Sequence, residues 1–218
     1  RGPAGSADQG GKLGGLTGDD RGMATNGGEP GMTLSDLLLP TYRQMLTALA
    51  AWLRKAEEQT GNADALLAAR LAPDMFPLST QIRFACLQVH EGGRRLRHEA
   101  FPDAMDALLN EGRQGGENPG TLAEALARID EALAYLDSLS ADALDDGAGQ
   151  PLALELPMGI AFDLDDGERY ARDWALPQFY FHIMTAYAIL RREGVELGKA
   201  DYVAHMFAYL RPGTAPAS

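Results

Sequence analysis

Four stretches of this chain repeat apolar residues at steps of three and four, and that spacing restricts it to a helical architecture. The first stripe is Leu38, Tyr42, Met45, Leu49, Trp52 and Ala56, widened by Leu46 and Leu53. It follows Thr33-Leu-Ser-Asp36, where a hydroxyl and a carboxylate three apart make a capping box. Pro40 is expected in the first turn, where its missing N–H costs little, and Gly61 marks the stop. The second stripe is Ile82, Ala85, Cys86, Val89 and Leu96, in a helix from about Leu78 to Arg97. Gly92 and Gly93 within it would admit the close approach of another backbone. The third helix opens on a second capping box, Thr121-Leu-Ala-Glu124, with Leu122, Leu126, Ile129, Leu133 and Leu136 on one face. The fourth runs from about Ala171 or Pro177 to Arg192, with Gly194 just past its end. Its middle, Gln178 to Leu190, is thirteen residues without a formal charge at neutral pH. A helix apolar nearly all round is expected to be buried on several sides.

The connections are less regular. A short helical piece is predicted over Ala63–Leu71, then a connector framed by Pro73 and Pro77, and Asn110–Gly120 reads as loop. Leu152–Leu156 and Ile160–Leu164 alternate in apolar character around Pro157-Met-Gly159, which reads as a β-hairpin. Such a hairpin is marginal alone and must pack on the helices. Leu197–Leu210 is weakly helical and is expected to pack against them too. The fold expected is therefore mainly α, an up-down four-helix bundle with a short β-hairpin before the last long helix. Residues 1–31 hold 11 of the 25 glycines, and no aromatic residue precedes Tyr42. That segment cannot bury enough apolar surface to offset its ordering entropy, so it is expected to be a disordered tail or a non-native extension. Residues 32–210 are expected to form a single domain, and 211–218 a short flexible C-terminus.

A formal charge of −12 speaks against nucleic-acid binding, which needs a basic face. The one basic cluster, Arg94, Arg95, Arg97 and His98, sits where it would complement the C-terminal end of a helix dipole. No apolar run reaches the ~18 residues of a membrane span. The single cysteine, Cys86, allows no internal disulfide, so a cytoplasmic protein is expected.

Three blocks carry a resemblance: Leu71-Ala-Pro-Asp-Met-Phe-Pro-Leu78, Leu176-Pro-Gln-Phe-Tyr-Phe-His-Ile-Met-Thr-Ala-Tyr-Ala-Ile-Leu-Arg191 and Gly194-Val-Glu-Leu-Gly-Lys-Ala-Asp-Tyr202. They resemble an uncharacterised bacterial domain-of-unknown-function family within the DinB/YfiT-like helical bundles, a superfamily described as metalloenzymes. The resemblance spans about Met32 to Tyr202. It implies a bundle with a hairpin before the last helix, and no established activity. Metal-binding members of the superfamily use three histidines, one on the second helix and two spaced four apart on the fourth. The resemblance sets His90 near the first position and His182 at the last, with Gln178 where the remaining histidine would stand.

That substitution shapes the functional expectation. Zinc, nickel or iron at a catalytic site wants about three protein ligands. His182, His90 and Gln178 would be the set, and glutamine substitutes poorly for histidine. A buried His182 whose ring nitrogens meet polar partners is the favoured alternative. His90 and Glu91 are adjacent on a helix, so they point apart and make no pair. Cys86, on an apolar stripe, reads as a small hydrophobe rather than a nucleophile. Asp74, between two prolines, is expected to cap the second helix or orient a site. Tyr187 joins Phe179, Tyr180 and Phe181 as core or as a dimer face. Asp163, Asp165, Asp166 and Glu168 lack the length of a calcium loop and read as a solvated turn. The expectation is a bundle without an intact three-histidine site that binds a small molecule or forms a homodimer. A degenerate metal-dependent hydrolase or thiol transferase is a second reading by analogy, and a regulatory or stress-linked interaction protein a third.

Overall fold

A computed structural model describes residues 31–156 and 159–214. The expectation for the N-terminal tail, the Pro157-Met158 half of the hairpin turn and the last four residues lie outside this range. Helix α1 spans Leu34–Thr60, α2 Leu78–Leu96, α3 Asp103–Gln114 and α4 Leu122–Asp137. Strands β1, Leu152–Glu155, and β2, Ala161–Leu164, precede α5, Gly167–Tyr170. A single turn of π-helix over Ala171–Ala175 joins α5 to α6, Leu176–Arg192, and α7, Lys199–Tyr202, is followed by a 3-10 helix over Ala204–Tyr209.

Both predicted capping boxes are present. Thr33 Oγ1 accepts from the Asp36 N–H at 3.1 Å, and Thr121 Oγ1 from the Glu124 N–H at 3.2 Å. Because the first box starts α1 at Leu34, Pro40 falls beyond the first turn rather than within it. The helix there lacks one backbone donor, and burial of Leu38, Tyr42 and Met45 on the same stretch offsets the loss. Four helices make the bundle: α2 and α1 each pack against both α4 and α6. The α4 face turned inward is Ala125, Ile129, Ala132 and Leu136, and Leu122, Leu126 and Leu133 flank it half-buried. The leucine stripe expected to lead is displaced because alanine lets the helices approach more closely.

Helix α3 is the element that composition hid. Its N-terminal half lies in a segment without a strong stripe, and its C-terminal half in the stretch expected to be loop. Only Met105, Leu108 and Gly112 are buried, so its apolar face is a narrow seam. Pro102 precedes its first turn, and Asp103 and Asp106 suit the positive end of its dipole. Gly112 lies directly against the Phe84 ring, which leaves no room for a β-carbon. Gly92 and Gly93 also admit close contacts, but with side chains rather than a backbone. A β-carbon on either would stand 2.5 Å from the Tyr42 or Tyr135 hydroxyl.

The hairpin is antiparallel, with Leu152 opposite Leu164 and Glu155 opposite Ala161. Leu152 and Leu154 point inward, which ties β1 to the helices as required. Asp166 accepts from the Arg169 N–H at 2.7 Å and caps α5, so the acidic run after the hairpin works as a helix start. At the other end, Trp52 Nε1 donates to the Asp201 carbonyl at 3.1 Å and Lys55 pairs with Asp201 at 3.0 Å, holding α7 on α1. Among the described residues no helix is long and apolar enough to cross a membrane.

Gly147 lies so close to the Leu96 backbone, and Gly167 to the Gly147 carbonyl, that three segments meet without side chains. A Gly147→Ala variant is expected to lose about 1–3 kcal/mol of stability through overpacking, read as a lower urea midpoint at unchanged slope. An unchanged midpoint would show that this contact is slack.

Candidate functional site

Helix α2 carries a second stripe beside its core stripe: Gln81, Phe84, Gln88, Glu91 and Arg95, at steps of three and four. Gln81 and Phe84 meet α6 through His182, and beyond them the face stays open. Phe84, Gln88, Glu91 and Arg95 form one wall of a cavity of about 470 Å³, which α3, the end of β1 and α6 complete. Phe101, Met105 and Leu109 line it from the α3 side, Leu154 and Leu156 from the hairpin, Gln178, Phe181 and His182 from α6, and Trp174 from the turn before α6. Trp174 stands in the π turn, an irregularity often found at functional sites. The volume suits a small molecule, and apolar walls with a few polar groups are the usual make-up of such sites.

His182 is 8% exposed, and its Nδ1 lies 2.8 Å from Gln81 Oε1. Gln81 Nε2 donates to the Phe76 carbonyl at 3.1 Å, which fixes the amide with its oxygen toward the imidazole. Nδ1 therefore carries the proton and donates. Nε2 keeps a lone pair and has no hydrogen-bond partner among the described residues. Burial lowers the imidazole pKa to about 4, so at neutral pH His182 is uncharged. The rings of Phe84 and Phe181 meet it edge-on, with centroids 5.4 and 5.3 Å away.

Glu91, one helical turn beyond Gln88, is the carboxyl of this wall. Burial raises its pKa, while Arg95 and the Gln88 amide act the other way. Its one side-chain hydrogen bond is from Gln88 Nε2 at 3.4 Å, and it has no ion pair among the described residues. Buried polar atoms without partners gather here as well, namely Gln88 Oε1, Trp174 Nε1 and Arg95 Nε. Unsatisfied groups of this kind call for an explanation.

The sequence candidates do not all meet. His182 and Gln178 share the cavity wall. His90 does not join them, since at ~100° per residue it stands about 180° around α2 from Gln81. It rests on Tyr135 of α4, ring centroids 4.6 Å apart, and burial followed by the Arg94 charge lowers its pKa to about 4. His90, His182 and Gln178 therefore do not assemble into a three-ligand set. Among the described residues no group of three or more histidine, cysteine, aspartate or glutamate side chains could hold a metal ion. Tyr187 is elsewhere too: its ring packs on Trp52 and Tyr202, at 5.3 and 5.8 Å, and its hydroxyl donates to the Leu197 carbonyl at 3.4 Å. Asp74 is exposed in a turn and caps nothing, because Pro77 occupies the α2 N-cap position with no side-chain bond. Cys86 is fully buried, its thiol pushed up to about 12, which leaves it without a reactive thiolate.

Sequence reasoning missed Gln81, Phe84, Gln88 and Trp174, and weighed Glu91 only as a partner for His90. The signal was there in the polar and aromatic stripe flanking the core stripe of α2.

Four packed helices with a hairpin leading into the last of them are the fold shared with a DinB family member. The family described as Domain of unknown function (DUF1993) matches residues 34–203, and the chain belongs to it. It is similar to a crystal structure of a DinB family member protein from Shewanella denitrificans, with 33% identity and a TM-score of 0.63 over 84% of this chain and 96% of that one. No curated protein matches the chain.

Both lowered histidines affect acid stability. Each keeps its folded pKa of about 4 against 6.5 in the unfolded chain, so the unfolded state takes up the protons. Their contribution is full above pH 6.5 and is lost as pH falls toward 4. Glu91, raised, works in the opposite sense. In urea unfolding, the drop in stability between about pH 7 and about pH 5 should be smaller in His182→Gln than in the parent. Equal drops would mean that His182 titrates alike in both states.

Proposed function

We propose that this protein is a small-molecule-binding DinB-like bundle whose ligand occupies the cavity between α2, α3, α6 and the hairpin. One observation carries the reading: unpartnered polar atoms of Gln88, Trp174 and Arg95 collect around a cavity otherwise walled by phenylalanine and leucine. A ligand that hydrogen-bonds there would satisfy groups the protein leaves open. His182 would serve as an oriented acceptor through Nε2, with Gln81 as the residue that orients it. Gln178 then belongs to the wall of a binding pocket, and the reading gives no step to a zinc, nickel or iron ion. The separation of His90 from His182 supports this preference over a degenerate metal-dependent hydrolase or thiol transferase.

Protein-observed proton–nitrogen NMR with a library of uncharged aromatic fragments tests the reading. Fragments should bind and shift the Trp174 indole N–H, and should lose affinity for Gln178→Trp, in which the cavity is filled. Absence of any fragment that shifts Trp174 would overturn it.

A second reading, self-association, has its own support. Phe181 and Met184 are 54% and 44% exposed on neighbouring turns of α6, although the charge-free helix was expected to be buried on several sides. Light scattering should then find a dimer that Phe181→Glu dissociates, and a monomer in the parent would remove this reading.

A further inference from the structure

We propose that the cavity takes an organic cation, a protonated amine carried on an aromatic or branched apolar body. This rests on the small-molecule reading above and adds the chemical class of the ligand.

The inference starts from the acid at the cavity wall. A carboxylate drawn out of water normally keeps a cation beside it, because the desolvation cost is otherwise uncompensated. Glu91 makes no ion pair among the described residues, and the Arg95 charge acts on it only at longer range. Arg95, one turn along α2, could have supplied one but is turned elsewhere. Its guanidinium lies 4.8 Å from the centre of the Phe101 ring and reaches the Ala153 carbonyl at 3.5 Å. Behind Glu91 stand the buried hydroxyls of Tyr42 and Tyr170, both without partners and neither a cation. The other charged side chains of the cavity, Asp106, Arg113 and Glu155, are exposed at its rim.

The remaining groups agree with a donor-rich, positively charged ligand. His182 offers a lone pair at Nε2 rather than a proton. Phe84, Phe181 and Trp174 present aromatic rings to the same space, and ring faces attract a desolvated cation. The lining carries three carboxyl groups, Glu91, Asp106 and Glu155, against two arginines, Arg95 and Arg113, and the Arg95 guanidinium is engaged by Phe101 and Ala153, so an anion is the less favoured ligand. A neutral ligand of the same shape would fill the cavity but leave the Glu91 carboxyl as unpaired as before.

Three probes sharing one ring system separate the cases by calorimetry on the whole chain: 2-(1-naphthyl)ethylamine, 2-(1-naphthyl)ethanol and 1-naphthylacetate. The amine is expected to bind about tenfold or more tighter than the alcohol, with the carboxylate weakest. Glu91→Gln should remove the advantage of the amine and leave alcohol binding in place. Trp174→Leu, which keeps Glu91, should weaken the amine more than the alcohol, so the inference stays testable if Glu91→Gln does not fold. An alcohol or carboxylate that binds as tightly as the amine overturns the inference while the small-molecule reading stands. So does an amine advantage that survives Glu91→Gln. No binding by these probes or by uncharged fragments would overturn both.

Discussion

Helix α2 packs against α1, α3, α4 and α6, so its polar side chains must find partners inside the protein. Most of them do. Ser79 donates to the Pro119 carbonyl at 2.7 Å, and Thr80 to the Gly112 carbonyl at 2.7 Å. Arg83, almost wholly buried, pairs with Glu111 at 2.5 Å, and Arg128 of α4 meets the same carboxylate at 2.8 Å. Gln81 ties the connector before α2 to His182 of α6. Each of these bonds fixes one neighbour against α2 in one register. The exceptions are Gln88 Oε1 and the Nε atoms of Arg94 and Arg95, and of these Gln88 and Arg95 line the cavity. The proposed ligand site rests on the two of these that face the cavity.

The same arrangement accounts for what became of the histidines. A helix presents residues nine apart on opposite sides, so Gln81 and His90 serve different neighbours. His182 follows Gln81, on the α6 side of α2, and His90 follows Tyr135, on the α4 side. Burial keeps both imidazoles neutral, but only His182 lines the cavity. Gln178 one turn earlier supplies an amide to the cavity wall, where a second imidazole would have been needed for metal binding.

The bundle was legible in the sequence because its evidence is local. Periodic stripes gave α1, α2, α4 and α6, and hydroxyl–carboxylate spacing gave two helix starts. Alternation gave the hairpin. Helix α3 was not legible, since three buried residues make too narrow a seam to register as a stripe. The inward face of α4 was misjudged because alanine was outweighed by leucine as a core residue, whereas packing distance favours alanine. Of the candidate site, His182 and Gln178 were visible, and their partner Gln81 was not. Contact between residues 101 apart depends on how two helices are phased against each other, which no single segment encodes. Asp74 and Tyr187 were placed by residue type alone, and tertiary structure took them to a turn and to the α1–α7 contact.

The central claim is that Gln81 holds His182 as an uncharged imidazole with Nδ1 protonated and Nε2 open to the cavity. Long-range proton–nitrogen NMR of the histidine rings measures both the tautomer and the titration in one series. The account predicts the Nδ1–H tautomer for His182 at neutral pH and a midpoint of about 4. An Nε2–H tautomer, or a midpoint at 6.5, would contradict it and leave the cavity without its oriented acceptor.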